Sequence, residues 1–162
     1  MTGVADSSSL HYLVPINATQ VLPQLFTRLI PPLEVIAELT DPRAPAEMRA
    51  WASHPPSWLS VLPVSSSVIE FGLGPEESAA IALAMEIQAD SPLTDERAGT
   101  NVAKRLGLRT AGTLAILAMA AEREAISLPA AFGLLRETAF RAPDALMHGL
   151  LEIDRERHGR RS

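Results

Sequence analysis

Short apolar runs alternate along this chain with longer stretches that are apolar at helical spacing. "GVAD", residues 3–6, predicts a short buried strand ending on Asp6, and "SSSLHYLVPI" then predicts a polar turn. "ATQVLPQLF", 18–26, places Val21, Leu22 and Leu25 at helical spacing, provided Pro23 falls in the first turn. "RLI", 28–30, predicts a second strand, stopped by Pro31 and Pro32, with helices over "EVIAEL", 34–39, and "PAEMRAWASH", 45–54. "WLSVLPV", 58–64, alternates weakly and predicts a strand or extended connector, followed by a loop over "SSSVIEFGLG", 65–74. The clearest helix is "PEESAAIALAMEIQ", 75–88: a proline starts it and Glu76 and Glu77 fill its first turn. A short strand at 91–94 and a helix over 96–108, closed by Gly107, follow. "LRTAG", 108–112, predicts another strand, and helices over 113–124, 128–140 and 142–157 complete the chain, with "HGRRS" frayed.

Strands this short and apolar, alternating with helices, imply a parallel sheet covered on both faces. At 162 residues the chain is expected to be one domain with a core of its own. An apolar content of 47% against 20% charged residues reads as a soluble, globular chain rather than a disordered one. The absence of cysteine excludes disulfides, thiolate-bound zinc and a thiol nucleophile, and fits a reducing cytoplasm. No apolar run has the length of a membrane span, so no membrane role is expected.

Charge changes the picture more by its distribution than by its total of −5. Residues 1–96 carry 3 basic and 12 acidic side chains, whereas 97–162 carry 11 basic and 7 acidic ones. Thirteen of the 14 basic residues are arginine, which suits two-point contacts to phosphate or carboxylate; a codon bias explains the same count equally well.

Several chemistries are missing. "FGLGPEE" lacks the lysine and spacing of a phosphate-binding loop, and His11, His54, His148 and His158 show no metal-ligand spacing. What remains is a set of carboxylates at element ends: Asp6, Glu38, Glu76, Glu77 and Asp95. Ligands of an open parallel sheet gather beyond the carboxyl ends of its strands. Carboxylates converging there would repel one another, and hard divalent cations such as Mg²⁺ or Mn²⁺ relieve that repulsion. Each acid also has a local explanation. Asp6 suits a turn, Asp95 suits a helix cap, Glu76 and Glu77 suit the positive end of a helix, and Glu38 suits a solvated face.

The ordered series "VADSSSLHYL", "LPQLF", "PPLEVIAEL", "GPEESAAIALA", "LTDERAG", "LGLRTAGTLAIL" and "LPAAFGLLRETAFR" resembles a branch of the PIN-domain family related to VapC-type toxins. The resemblance implies a three-layer α/β/α PIN-like domain with a short-stranded parallel sheet over residues 1–154, followed by a basic tail at 155–162. It implies a metal-dependent ribonuclease, with Mg²⁺ or Mn²⁺ held by Asp6, Glu77 and Asp95 and assisted by Glu38. Glu76 and Glu96 are the neighbours that could substitute. RNA contacts are expected from Arg97, Lys104 and Arg105, with Arg109 beyond them and Arg155, Arg157, Arg160 and Arg161 in the tail. The implied partners are an RNA substrate, a cognate antitoxin and, through Leu114, Ile116, Leu117, Leu134, Leu135 and Leu146, a second copy; a core role is the alternative for these six. Two prolines depart from the family pattern. Pro31 stands where a strand residue is expected, and Pro92 interrupts the strand that presents Asp95. Both strands should therefore be short or at an edge. The rival readings are a PIN-fold binding module without catalysis and a phosphohydrolase or DNA nuclease on the same fold.

Overall fold

The computed structural model describes residues 1–65 and 71–160. Its sheet has three parallel strands, β1 (Thr2–Ala5), β2 (Arg28–Ile30) and β3 (Ser91–Leu93), in the order β2-β1-β3. Gly3 pairs with Leu29 on one side and with Ser91 on the other, so β1 is central. Single parallel bridges widen the sheet: Leu29 to Leu59 and Pro32 to Leu62 beside β2, and Leu93 to Ala111 beside β3. The segment expected as a strand at 108–112 contributes only that bridge, and 58–64 is the connector beside β2.

Both prolines fit this geometry. β2 ends at Ile30, before Pro31. Pro92 lies inside β3, but its carbonyl accepts from the Ala111 N–H (3.0 Å). A strand residue's nitrogen and carbonyl point the same way, so the missing donor of Pro92 faces away from β1. The bond to the central chain runs instead from the Asp6 N–H to the Leu93 carbonyl (3.1 Å).

Side chains alternate across the sheet and divide the core in two. Val4 and Ile30 pack with Ala80, Leu83 and Ala84 of α5 (Pro75–Glu86). Ala5, Leu29 and Leu93 face the larger cluster, to which α1 (Ser7–Leu13), α2 (Leu22–Leu25), α3 (Leu33–Thr40), α4 (Ala46–Ser53), α7 (Thr113–Glu122) and α8 (Leu128–Arg136) contribute. α6 (Arg97–Arg105) packs on α5, and α9 (Asp144–Gly159) packs on α7 and α8. This is the three-layer α/β/α arrangement expected from the sequence.

The residues after Asp6 form helix α1, not the expected turn. The Asp6 carboxylate accepts from the N–H groups of Ser8 and Ser9, which nucleates the helix, and Leu10 and Leu13 anchor it in the core. At the other end of the chain, α9 runs through residue 155 to Gly159, past the expected fraying at His158, and Arg157 pairs with Glu122 of α7. Arg161 lies outside the described residues. Of the apolar residues in the C-terminal helices, Leu114, Ile116, Leu117 and Leu135 are core, while Leu134 and Leu146 are about half exposed at 47% and 50%.

Candidate active site

Asp6 is the innermost acid. It directly follows the central strand and is only 2% exposed. Its Oδ1 accepts from the Ser8 N–H (2.9 Å), the Ser8 hydroxyl (2.7 Å) and, at 3.4 Å, the Ser9 N–H. Thr94, the residue after β3, also bonds to this carboxyl through its hydroxyl. Burial outweighs all of these donors and lifts the Asp6 pKa from 3.8 to about 6.

Glu77 enters from the other helical layer, in the first turn of α5. One of its oxygens accepts from the Gly74 N–H (3.1 Å), the half of a capping box that a glycine cap permits. Glu77 lines a narrow crevice together with Asp6, Thr94 and Gly99. A methyl group at Gly99 would stand 3.3 Å from the Thr94 hydroxyl and 3.6 Å from Glu77 Oε1, so a side chain there would crowd the crevice. Burial raises the Glu77 pKa, the Gly74 bond opposes this, and the charges of Glu96, Glu76 and Glu38 raise it further. Four of the expected acids therefore share one electrostatic neighbourhood. Glu38, on α3, carries a buried Oε2 with no hydrogen-bond partner among the described residues.

Asp95 is held differently. Its Oδ1 accepts from the Thr113 N–H (2.8 Å) and its Oδ2 from the Thr113 hydroxyl (2.6 Å). The expected cap of the following helix is not what this carboxylate provides. It caps α7, 18 residues on, while Glu96 occupies the N-cap position of α6 without a side-chain bond. Gly112 makes room for it, since a methyl group there would meet Asp95 Oδ1 at 2.7 Å. The backbone of Asp95 does reach the central strand end, because its N–H donates to the Ser8 hydroxyl (2.8 Å).

The cations are spread out. Arg97 is exposed in the first turn of α6, beside Glu96, and makes no ion pair among the described residues. Lys104 and Arg105 lie in the last turn of the same helix. A rise of about 1.5 Å per residue puts them roughly 10–12 Å further along the axis. Sequence reasoning missed Ser8, Thr94 and Thr113. Only the adjacency of Ser8 to Asp6 and of Thr94 to Asp95 could have flagged the first two; the Thr113 contact depends on the tertiary fold.

The donors fit a hard divalent cation in kind, since they are all oxygens, crowded by like charge, and one of them is buried and unpartnered. In position they are less gathered: among the described residues no three such side chains stand close enough to form a ready-made metal group. Acids placed at element ends along the carboxyl edge of a short parallel sheet, between helical layers, fit a nuclease-type α/β/α fold. A family model described as a PIN domain matches residues 2–156, and the chain belongs to that family. PIN domains are generally nucleases, typically use divalent metals, and act on nucleic acid. No curated protein matches the chain. No helix among the described residues is long and apolar enough to cross a membrane.

Proposed function

We propose that this chain is a ribonuclease that hydrolyses RNA phosphodiester bonds with Mg²⁺ or Mn²⁺. Asp6 and Glu77 hold the ion, Asp95 completes the set and Glu38 assists. The observation that carries this reading is the narrow crevice lined by both Asp6 and Glu77, one a buried carboxyl and the other a carboxyl whose pKa is raised by burial and by three neighbouring carboxylates. A bound cation would supply an activated water and offset the charge that develops on the phosphate. Thr113 then orients Asp95, as hydrogen bonds to ligating carboxylates commonly do. Arg97 contacts a phosphate of the strand. A toxin role, in the cytoplasm and with an antitoxin partner, follows as the family context for such an activity. The half-exposed Leu134 and Leu146 are the residues that would support a dimer.

One observation favours the second reading, a PIN-fold binding module. Both Asp95 oxygens are already bonded to Thr113, and the acids are not drawn together. The two readings separate in an assay of a labelled single-stranded RNA with Mn²⁺, with and without EDTA. The nuclease reading expects cleavage that EDTA stops and that falls by about 100-fold or more in Asp6→Asn and Asp95→Asn. Cleavage that survives both substitutions refutes the site. A wild type that neither cleaves RNA nor binds Mn²⁺ is the binding module.

A further inference from the structure

Two buried hydroxyls connect Asp6 to the turn that follows β3. Ser8 and Thr94 are 9% and 6% exposed, and buried hydroxyls of this kind are expected to find protein partners. A hydroxyl has one proton to donate and lone pairs to accept with. The Ser8 oxygen accepts the Asp95 N–H at 2.8 Å, and its own proton points to Asp6 Oδ1 at 2.7 Å. The Thr94 oxygen accepts the Glu96 N–H at 3.2 Å, and its proton serves the same Asp6 carboxyl. The two relays start from consecutive backbone N–H groups and end on one side chain. They approach it from different elements, Ser8 from α1 and Thr94 from the end of β3.

We propose that Ser8 and Thr94 are positioning residues for the cation-binding acid Asp6, relaying the backbone N–H groups of Asp95 and Glu96 onto its carboxylate so that the ends of β1 and β3 hold it jointly. This rests on the nuclease reading of the site. The relays also bear on Pro92. With only Gly3, Val4 and Ala5 paired to β3, the ladder alone is a short lever on the acids beyond it, and the hydroxyls extend the connection past the last strand residue. Neither hydroxyl needs to touch the ion or the RNA. Each acts through Asp6.

The experiment uses the full chain, with Ser8→Ala, Thr94→Val and the conservative Thr94→Ser beside wild type. Amide hydrogen exchange at Asp95 and Glu96 is read by NMR in metal-free protein. Mn²⁺ affinity is then measured without RNA, followed by kcat and KM for the RNA. Ser8→Ala is expected to speed exchange at Asp95, and Thr94→Val at Glu96, each by about tenfold or more. Both should weaken Mn²⁺ binding by roughly 10-fold and lower kcat with KM unchanged, and Thr94→Ser should restore wild-type values. If Ser8→Ala fails to fold, the Thr94 pair decides on its own. Unchanged exchange in both variants overturns the relays. A wild type that binds Mn²⁺ no more tightly than Ser8→Ala and Thr94→Val overturns the positioning role alone. A wild type that binds no Mn²⁺ and cleaves no RNA overturns the nuclease reading and the positioning role with it.

Discussion

A carboxyl buried like that of Asp6 carries a cost in stability when it ionises. Its pKa in the fold, about 6, stands above the ordinary 3.8, so the folded state holds the proton more tightly than the unfolded chain. The contribution of Asp6 to stability is therefore fully present below about pH 4. It is lost as the pH rises toward 6 and stays lost above that. The gap corresponds to about 3 kcal/mol of ionisation cost near neutral pH. Asparagine keeps an oxygen for the Ser8 and Ser9 donors and removes the charge. In EDTA, Asp6→Asn should be more stable than wild type at pH 7.5, by up to about 3 kcal/mol, and the difference should shrink at pH 4. Urea unfolding at the two pH values reads this directly. A variant less stable than wild type at pH 7.5 would show that the carboxylate charge is already compensated by groups other than a cation. On the nuclease reading proposed above, Asp6 would give up stability for activity, a common trade in enzymes.

At the level of elements, the sequence revealed those whose local pattern and tertiary role agree. β1, β2, β3 and α5 were readable because apolar runs, proline stops and first-turn acids all pointed the same way. Helix α1 was not, because three consecutive serines favour turns, and only the bonds from Asp6 together with the burial of Leu10 and Leu13 make a helix of them. Asp6 and Glu77 could be singled out because each stands at an element end. The tie between Asp95 and Thr113 could not, since it spans 18 residues and exists only once α7 has packed. The same scale separates the arginines. Arg97 occupies the positive end of α6, where the helix dipole disfavours a cation, whereas Lys104 and Arg105 sit at the end that welcomes one. Arg97→Ala should raise the KM for RNA several-fold with stability unchanged or slightly improved. Lys104→Ala and Arg105→Ala should cost a few tenths of a kcal/mol of stability and leave KM near wild type. Steady-state kinetics with thermal unfolding of the three variants tests this division. Equal KM effects at both ends of α6 would place the RNA along the whole helix.

Across the whole molecule, charge and fold are arranged around one edge of the sheet. The acidic first half of the chain supplies Asp6, Glu38, Glu76 and Glu77, and the arginine-rich second half begins at Arg97, directly after Asp95 and Glu96. The groove beside the site is lined by Glu47, Glu96 and Glu137 together with His11 and Tyr12. A phosphate chain is repelled from such a wall unless a cation stands between them. A divalent ion at Asp6 is therefore what the proposed activity requires, and calorimetric titration of metal-free protein with MnCl₂ at pH 7.5 measures it without reference to any RNA. Saturable binding to wild type is expected, weakened by at least about 10-fold in Asp6→Asn and in Glu77→Gln. Absence of binding to wild type, or an Asp6→Asn variant that binds as tightly, would contradict it.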